Sequence, residues 1–394
     1  MSDTTPDRAI ALLSFTAFAS AASLRGTDPM LPLFVEEFST TPGGAAATIT
    51  AFSIAYGLFQ VLHGPIGDRI GKFRLVFVTS ILSLLATIAC ALAPTLGLLV
   101  AARFIAGGLV GAAIPLSIAW IGDVVPYEKR QAVLARFIIG QMLGVAIGNA
   151  AGGYVGELFG WRSMFWLLAA LYALATAFLW LELRSNRLAQ EDTSHAHSSL
   201  LDSFRRMGAL LARPWVITVL VTATIEGGLF YGALSFVAFH LHEHLGLGLG
   251  ASGTVVTTFA LGGLCYALVA RPVVRRLSER DLALSGGLIM GAAFFGLVLA
   301  PTAAWVVPCL LAAGGGLYML HNTLQVHATQ MAPESRGAAM ALFALFLFTG
   351  QSLGVWLGSQ VLDAAGTTPL FLIAAIGLPL VGLFFSRRLA LRPA

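Results

Sequence analysis

Apolar residues in this chain fall into long uninterrupted blocks separated by short polar breaks, a pattern unlike the helical stripe or strand alternation of a half-buried element. Each block is about 20 residues long, the length an α-helix needs to cross the hydrocarbon core of a bilayer. The sequence predicts twelve such helices, near 9–34, 46–66, 75–93, 97–120, 134–158, 164–183, 215–240, 251–271, 282–301, 305–329, 338–362 and 368–386. The longest polar break lies between Arg184 and Arg213, where Ser, Asn, Gln, Asp, His and Arg replace the apolar run. A stretch that polar joins two bodies and does not enter either. The expected organisation is an N-terminal six-helix half over 1–184, a cytoplasmic linker over 185–212 and a C-terminal six-helix half over 213–394.

Composition agrees with a membrane protein. Hydrophobic residues make up 57% of the chain and charged residues only 11%, and the mean hydropathy is +0.84. That leaves too little polar surface for a water-soluble chain of this size. The 23 Lys and Arg test the helix count, because cytoplasmic loops collect positive charge. With both termini inside, Arg162 alone falls in an outer loop, Arg25, Arg103 and Arg136 fall within apolar blocks, and all others lie inside. The isoelectric point of about 9.2 thus reflects orientation in a lipid bilayer, and nucleic acid is not an expected partner. No cleavable signal peptide is evident. Cys90, Cys265 and Cys309 lie in predicted helices, which argues against disulfides. His195 and His197 sit in the polar linker and read as solvated residues, and no metal spacing is present.

The two halves repeat. Gly140-Gln141-Met142-Leu143-Gly144-Val145-Ala146-Ile147-Gly148 in helix 5 matches Gly350-Gln351-Ser352-Leu353-Gly354-Val355-Trp356-Leu357-Gly358 in helix 11. Gly107-Gly108-Leu109 in helix 4 matches Gly315-Gly316-Leu317 in helix 10, with Pro126 and Arg130 echoed by Pro333 and Arg336. Duplication of six helices is the plan of transporters whose site lies between the halves.

Ionisable side chains at membrane depth are costly and so point to function. Two carboxylates lie well inside predicted helices, Asp28 in helix 1 and Glu226 in helix 7; Arg25, Arg103 and His321 are the basic groups at similar depth. Arg25 and Asp28, three apart, can pair locally. Arg103 should reach a similar depth and interact with Asp28, forming an Arg–Asp cluster that is either a gating or proton-linked site or a static pair fixing helix packing. Glu226 has no basic neighbour within a turn of its own helix, and Gly227, Gly228, Phe230 and Tyr231 surround it. It is either a proton carrier or a protonated packing group. His321 and Gln325 share one face of helix 10 and must meet another helix or a watery cavity. Tyr56, Gln60, Tyr231, His321, Asn322 and Gln325 are the substrate-cavity candidates, with His327 a weaker one. His240, His242 and His244, at the outer end of helix 7, read as interfacial and could sense external pH.

Gly64-Pro65-Ile66-Gly67-Asp68-Arg69-Ile70-Gly71-Lys72-Phe73-Arg74, a charged island between two apolar blocks, resembles the loop between helices 2 and 3 of the major facilitator superfamily. The resemblance implies an all-α fold of twelve transmembrane helices in two pseudo-symmetric halves. It also implies a conformational latch in which Asp68 contacts the N-terminus of helix 11 near Gly337 and Ala338. Gly64, Asp68, Arg69, Gly71 and Arg74 belong to this latch, and a loop Arg is expected to pair with Asp123. In the second half, Arg271-Pro272-Val273-Val274-Arg275-Arg276-Leu277-Ser278 has no acid at the equivalent place.

Within the superfamily the chain most resembles twelve-helix drug/proton antiporters. Arg103-Phe104-Ile105-Ala106-Gly107 matches their helix 4 signature, whose Arg is associated with proton coupling. Gly144, Gly148, Gly152 and Gly153 match the helix 5 signature, with Asn149 in place of its Pro. The glycines are expected to allow close packing against the opposite half. Thr27-Asp28-Pro29-Met30-Leu31-Pro32 also resembles bacterial efflux members.

The resulting expectation is a secondary active transporter working by alternating access in the cytoplasmic (inner) membrane. It is a monomer that exports a small amphipathic or organic compound by proton-coupled antiport, with the proton gradient as energy source and no cofactor. Asp28, Arg103, Glu226 and Arg25 are the proton-coupling candidates. The alternative is a facilitator or proton symporter for a sugar-like or anionic metabolite held by Arg25 and Arg103, and a non-transporting membrane sensor ranks below both. An enzyme is not expected, because no nucleophile–base or metal constellation appears.

Overall fold

The computed structural model describes residues 6–190 and 200–391; His195, His197 and Arg392 lie outside the described residues. Among the described residues, twelve helices are long and apolar enough to cross a membrane. Helices 1 to 6 are Asp7–Phe38, Pro42–Ile70, Lys72–Ala91, Leu96–Val124, Glu128–Phe159 and Trp161–Ser185. Helices 7 to 12 are Pro214–Leu245, Leu249–Arg276, Glu279–Val298, Ala303–Gln330, Arg336–Ala365 and Thr367–Ala390. They run alternately up and down, so the beginning of helix 1 and the end of helix 12 lie on one face, called here the terminal face; the opposite face is the distal one. Between the halves lie the short helices Arg187–Gln190 and Leu200–Leu210.

The expected connection around Asp68 is not a loop. Helix 2 continues through Pro65 to Ile70, and Gly71 alone turns the chain into helix 3. Its φ of +92° favours glycine. Gly160 and Gly366 make the same one-residue turn between helices 5 and 6 and between 11 and 12, at matching places in the two halves.

Small residues decide which helices touch. In the first half helix 1 packs on 5, helix 2 on 4 and helix 3 on 6; in the second, helix 7 packs on 11, 8 on 10 and 9 on 12. This is the same pairing six helices later. A Cβ on Gly107 would meet the Phe52 carbonyl oxygen, and one on Gly354 would meet that of Gly228. The backbones are that close, as small-residue packing in membranes allows. Between the halves, helix 2 lies on helix 11 and helix 5 on helix 8.

Helices 1, 4 and 7 are interrupted. Helix 1 breaks after Arg25, helix 4 after Val110 and helix 7 after Leu234. Interrupted spans leave backbone carbonyls that side chains must satisfy, and those side chains gather at the centre of the bundle.

Candidate functional site

Three buried polar groups stand out: one bridges the halves, one lies within the first half and one within the second. The first surrounds the break in helix 1. Arg25 Nη1 donates to Asp28 Oδ2 at 3.3 Å, both side chains being almost completely buried. Arg25 Nη2 reaches across to helix 11 and donates to Gln351 Oε1 at 3.4 Å, while the guanidinium lies 4.4 Å over the ring of Tyr231 from helix 7. Gln351 Nε2 in turn donates to Ser53 Oγ of helix 2 at 3.0 Å. One glutamine of the second half therefore holds two helices of the first. Asp28 also faces the buried Ser235 hydroxyl at the break in helix 7, although the contact falls short of good hydrogen-bond geometry for Oδ1 and the hydroxyl.

The second group centres on Arg103. It lies close enough to Asp28 for the two charges to interact, as the sequence suggested, but makes no direct ion pair with it. Nη1 donates to the Ser23 carbonyl at 3.2 Å, Nη2 to Thr27 Oγ1 at 3.1 Å and Nε to the Thr48 carbonyl at 3.4 Å. The guanidinium stacks 3.9 Å over Phe52, a cation–π contact strengthened by desolvation. The reason lies in the broken helix: Ser23 is in the last turn before the break, where carbonyls lack intrahelical donors, and Arg103 supplies one. Asp28 is left to Arg25.

The third group is Glu226 and His321. His321 Nδ1 lies 2.8 Å from Glu226 Oε2, joining helix 10 to helix 7. Glu226 is fully buried and its Oε1 has no partner, whereas the His321 side chain is 20% exposed. The ring of His321 also faces Phe343 of helix 11 at 5.6 Å. Gln325, one turn nearer the terminal face and on the same side of helix 10, is exposed, and Asn322 is half-buried. No basic neighbour of Glu226 was visible within a turn of its own helix because His321 approaches from a different one.

The other cavity candidates have structural partners. Gln60 Nε2 donates at 3.0 Å to the Gly111 carbonyl, which the break in helix 4 frees. Tyr56 is buried against Phe348 of helix 11, ring centroids 4.4 Å apart.

At the terminal face Asp123 bonds Lys72 Nζ at 2.6 Å, and Lys72 also lies 3.5 Å from Asp68. The expected pairing of a loop arginine with Asp123 is therefore made by Lys72, because Gly71 starts helix 3 with that residue between the two acids. Arg69 and Arg74 are exposed, and a Cβ at Gly64 or Gly337 would meet open space. Asp68 is 45% exposed with Lys72 as its partner.

Helix 5 also departs from expectation. Gly144, Gly148 and Gly152 close on Phe18, Ala22 and Gly26 of helix 1, inside their own half; of the signature glycines Gly153 alone meets the other half, at Leu249. Asn149, standing where the Pro was expected, turns its Nδ2 back to the Val145 carbonyl at 3.1 Å, and helix 5 runs unbroken through it to Phe159.

Twelve membrane-length helices among the described residues, in two matching halves with buried ionisable groups at and beside their junction, are the architecture of a membrane transporter. The Major Facilitator Superfamily profile matches residues 13–354. The chain belongs to that superfamily. Among its relatives, "Efflux pump radE" of Floropilus chiversii is 24% identical, over 98% of this chain and 81% of the relative. "Uncharacterized MFS-type transporter YwfA" of Bacillus subtilis is 24% identical, over 92% of this chain and 87% of the relative. In fold, a peptide transporter POT solved in complex with sulfate superposes with a TM-score of 0.80 at 16% identity, covering 98% of this chain and 94% of that one. A POT family transporter in complex with 5-aminolevulinic acid gives 0.78 at 17% identity, covering 96% and 95%. The family and these relatives are transporters and not enzymes.

Proposed function

We propose that the chain is a proton-coupled exporter of small amphipathic or organic compounds, working as a monomer by alternating access between its two halves. The pair formed by Glu226 and His321 carries this reading. A fully buried carboxylate with one oxygen unpartnered, bonded to a partly exposed imidazole on the face that also presents Gln325, is a place where a proton can be taken up and released as water gains access. The substrate binds on that side of helix 10 beside Tyr231, and the proton gradient supplies the energy without a cofactor. Relatives named as efflux pumps support the direction of transport, and the basic terminal face supports a cytoplasmic location for both ends of the chain. The alternative, import of an anionic metabolite on Arg25 and Arg103, fits less well because protein groups occupy both guanidinium groups in this conformation.

Glu226→Gln keeps the shape and hydrogen-bonding capacity of the neutral acid and removes titration. In proteoliposomes the variant is expected to bind and exchange substrate but to lose accumulation driven by a pH difference. Full pH-driven accumulation would move the coupling site to Asp28; outright loss of binding would make Glu226 a substrate ligand.

A further inference from the structure

Among the described residues, helix 2 meets helix 11 and helix 5 meets helix 8 from the distal face inward, while Gly64 and Gly337 at the terminal face have open space around them. On one side the contacts run from Asp363 against Thr41 and Gly43 to Phe348 and Leu345 against Gly57. On the other they run from Glu157 against Gly250 to Thr257, whose hydroxyl donates to the Ala146 carbonyl. The distal ends are closed on each other.

Each seam begins at the distal face with the same device. Asp363, near the end of helix 11, accepts a 2.8 Å hydrogen bond from the Gly43 N–H and a 2.7 Å bond from the Thr41 hydroxyl. Thr41 is the N-cap of helix 2 and Gly43 its second residue. Glu157, near the end of helix 5, accepts a 2.8 Å bond from the Gly250 N–H. Gly248 is the N-cap of helix 8 and Gly250 its second residue. A carboxylate from each half thus caps a helix of the other, where free N–H groups and the positive end of the helix dipole favour an anion. Both capped positions are glycine, and at both caps an added Cβ would strike the acid: one on Gly43 would meet Asp363, one on Gly248 would meet Glu157. Helices 5 and 11 correspond in the repeat, as do 2 and 8, so the two caps are related by the pseudo-symmetry of the fold.

We propose that Glu157 and Asp363 form a paired distal latch that holds the transporter in its distal-closed state and must break on both seams before the distal side opens. The latch concerns only the equilibrium between the two states and does not depend on how protons are coupled.

The test uses the full chain in lipid nanodiscs, without substrate or pH gradient, after replacing Cys90, Cys265 and Cys309. One spin-label pair at Pro94 and Pro301 reports the distal side, and another at Glu128 and Arg280 the terminal side. Asp363→Asn and Glu157→Gln are each expected to raise the ratio of distal-open to distal-closed molecules by about two- to fivefold, and the double variant by about the product of the two. Thr41→Val removes one donor to Asp363, and Gly43→Ala displaces the carboxylate; both leave every charge in place and are expected to shift the ratio the same way. Terminal distances should shorten as distal ones lengthen. Unchanged distal distances in these variants would overturn the latch, as would distal widening with fixed terminal distances, which would mean local fraying.

Discussion

At the scale of single residues, charges buried at the centre are held by unequal partners, and this decides what their loss should do. Asp28 has Arg25 as its ion-pair partner, while Arg103 is held by two carbonyls, a hydroxyl and the Phe52 ring. Removing one member of a buried pair leaves an uncompensated charge, a loss of about 3 to 5 kcal/mol, whereas removing both is far milder. Arg25→Leu is therefore expected to destabilise the protein more than the double variant Arg25→Leu/Asp28→Leu. The corresponding cycle for Arg103 and Asp28 should show much weaker coupling; thermal unfolding of each variant in the same lipid environment measures both. Spacing alone revealed the Arg25–Asp28 pair, since i and i+3 share a helical face. Gln351 was visible only as one letter of an internal repeat. Its hydrogen bonds to Arg25 and Ser53 depend on which helices meet, and no local pattern encodes that. The same limit hid the partnership of Glu226 with His321, although both residues stood out as polar groups at membrane depth.

At the scale of helices, length and hydropathy located all twelve spans, because the bilayer sets a fixed requirement on each one. The interruptions in helices 1, 4 and 7 were not legible: breaks of two to five residues inside an apolar run leave mean hydropathy nearly unchanged. The glycine signature of helix 5 was legible as a close-packing surface, but its partner was misassigned. Three of its glycines face helix 1, because a glycine row marks a near approach without naming the neighbour. Gly152 is the sharpest case, since an added Cβ would meet the Gly26 carbonyl oxygen, at the turn from which Arg25 and Asp28 project. Overpacking typically costs about 1 to 3 kcal/mol. Gly152→Ala is expected to lose stability in that range and to weaken transport by moving the helix 1 break. Gly97→Ala, exposed with open space around it, should be neutral or gain about 0.4 to 1 kcal/mol through reduced unfolded-state entropy. Paired thermal unfolding and transport assays separate the two outcomes.

For the whole molecule, the proposed latches on the two faces would oppose each other through the same physics. On the distal face, Asp363 and Glu157 sit on helix N-termini across the halves. On the terminal face Asp68 is held by Lys72 within the first half. The proposed role of Asp68 is to cap helix 11 in the other state, which requires it to give up Lys72 as Gly337 approaches. Each state then gains carboxylate-to-dipole contacts that the other lacks, each worth about 0.3 to 2 kcal/mol, and the balance between them sets the resting equilibrium. Asp68→Asn is accordingly expected to deepen the distal-closed population and slow turnover while leaving substrate affinity within a few-fold. Asp363→Asn is expected to act in the opposite direction. Because the two sites lie at opposite ends of the molecule and share no partner, their effects should add. The combined variant Asp68→Asn/Asp363→Asn should then return the state ratio toward that of the parent and recover part of the lost turnover. The label pairs at Pro94/Pro301 and Glu128/Arg280 read the ratio, and transport in proteoliposomes reads the rate. If the combined variant matches Asp68→Asn alone in both measurements, the faces are not in balance and Asp68 acts on something other than the equilibrium between states.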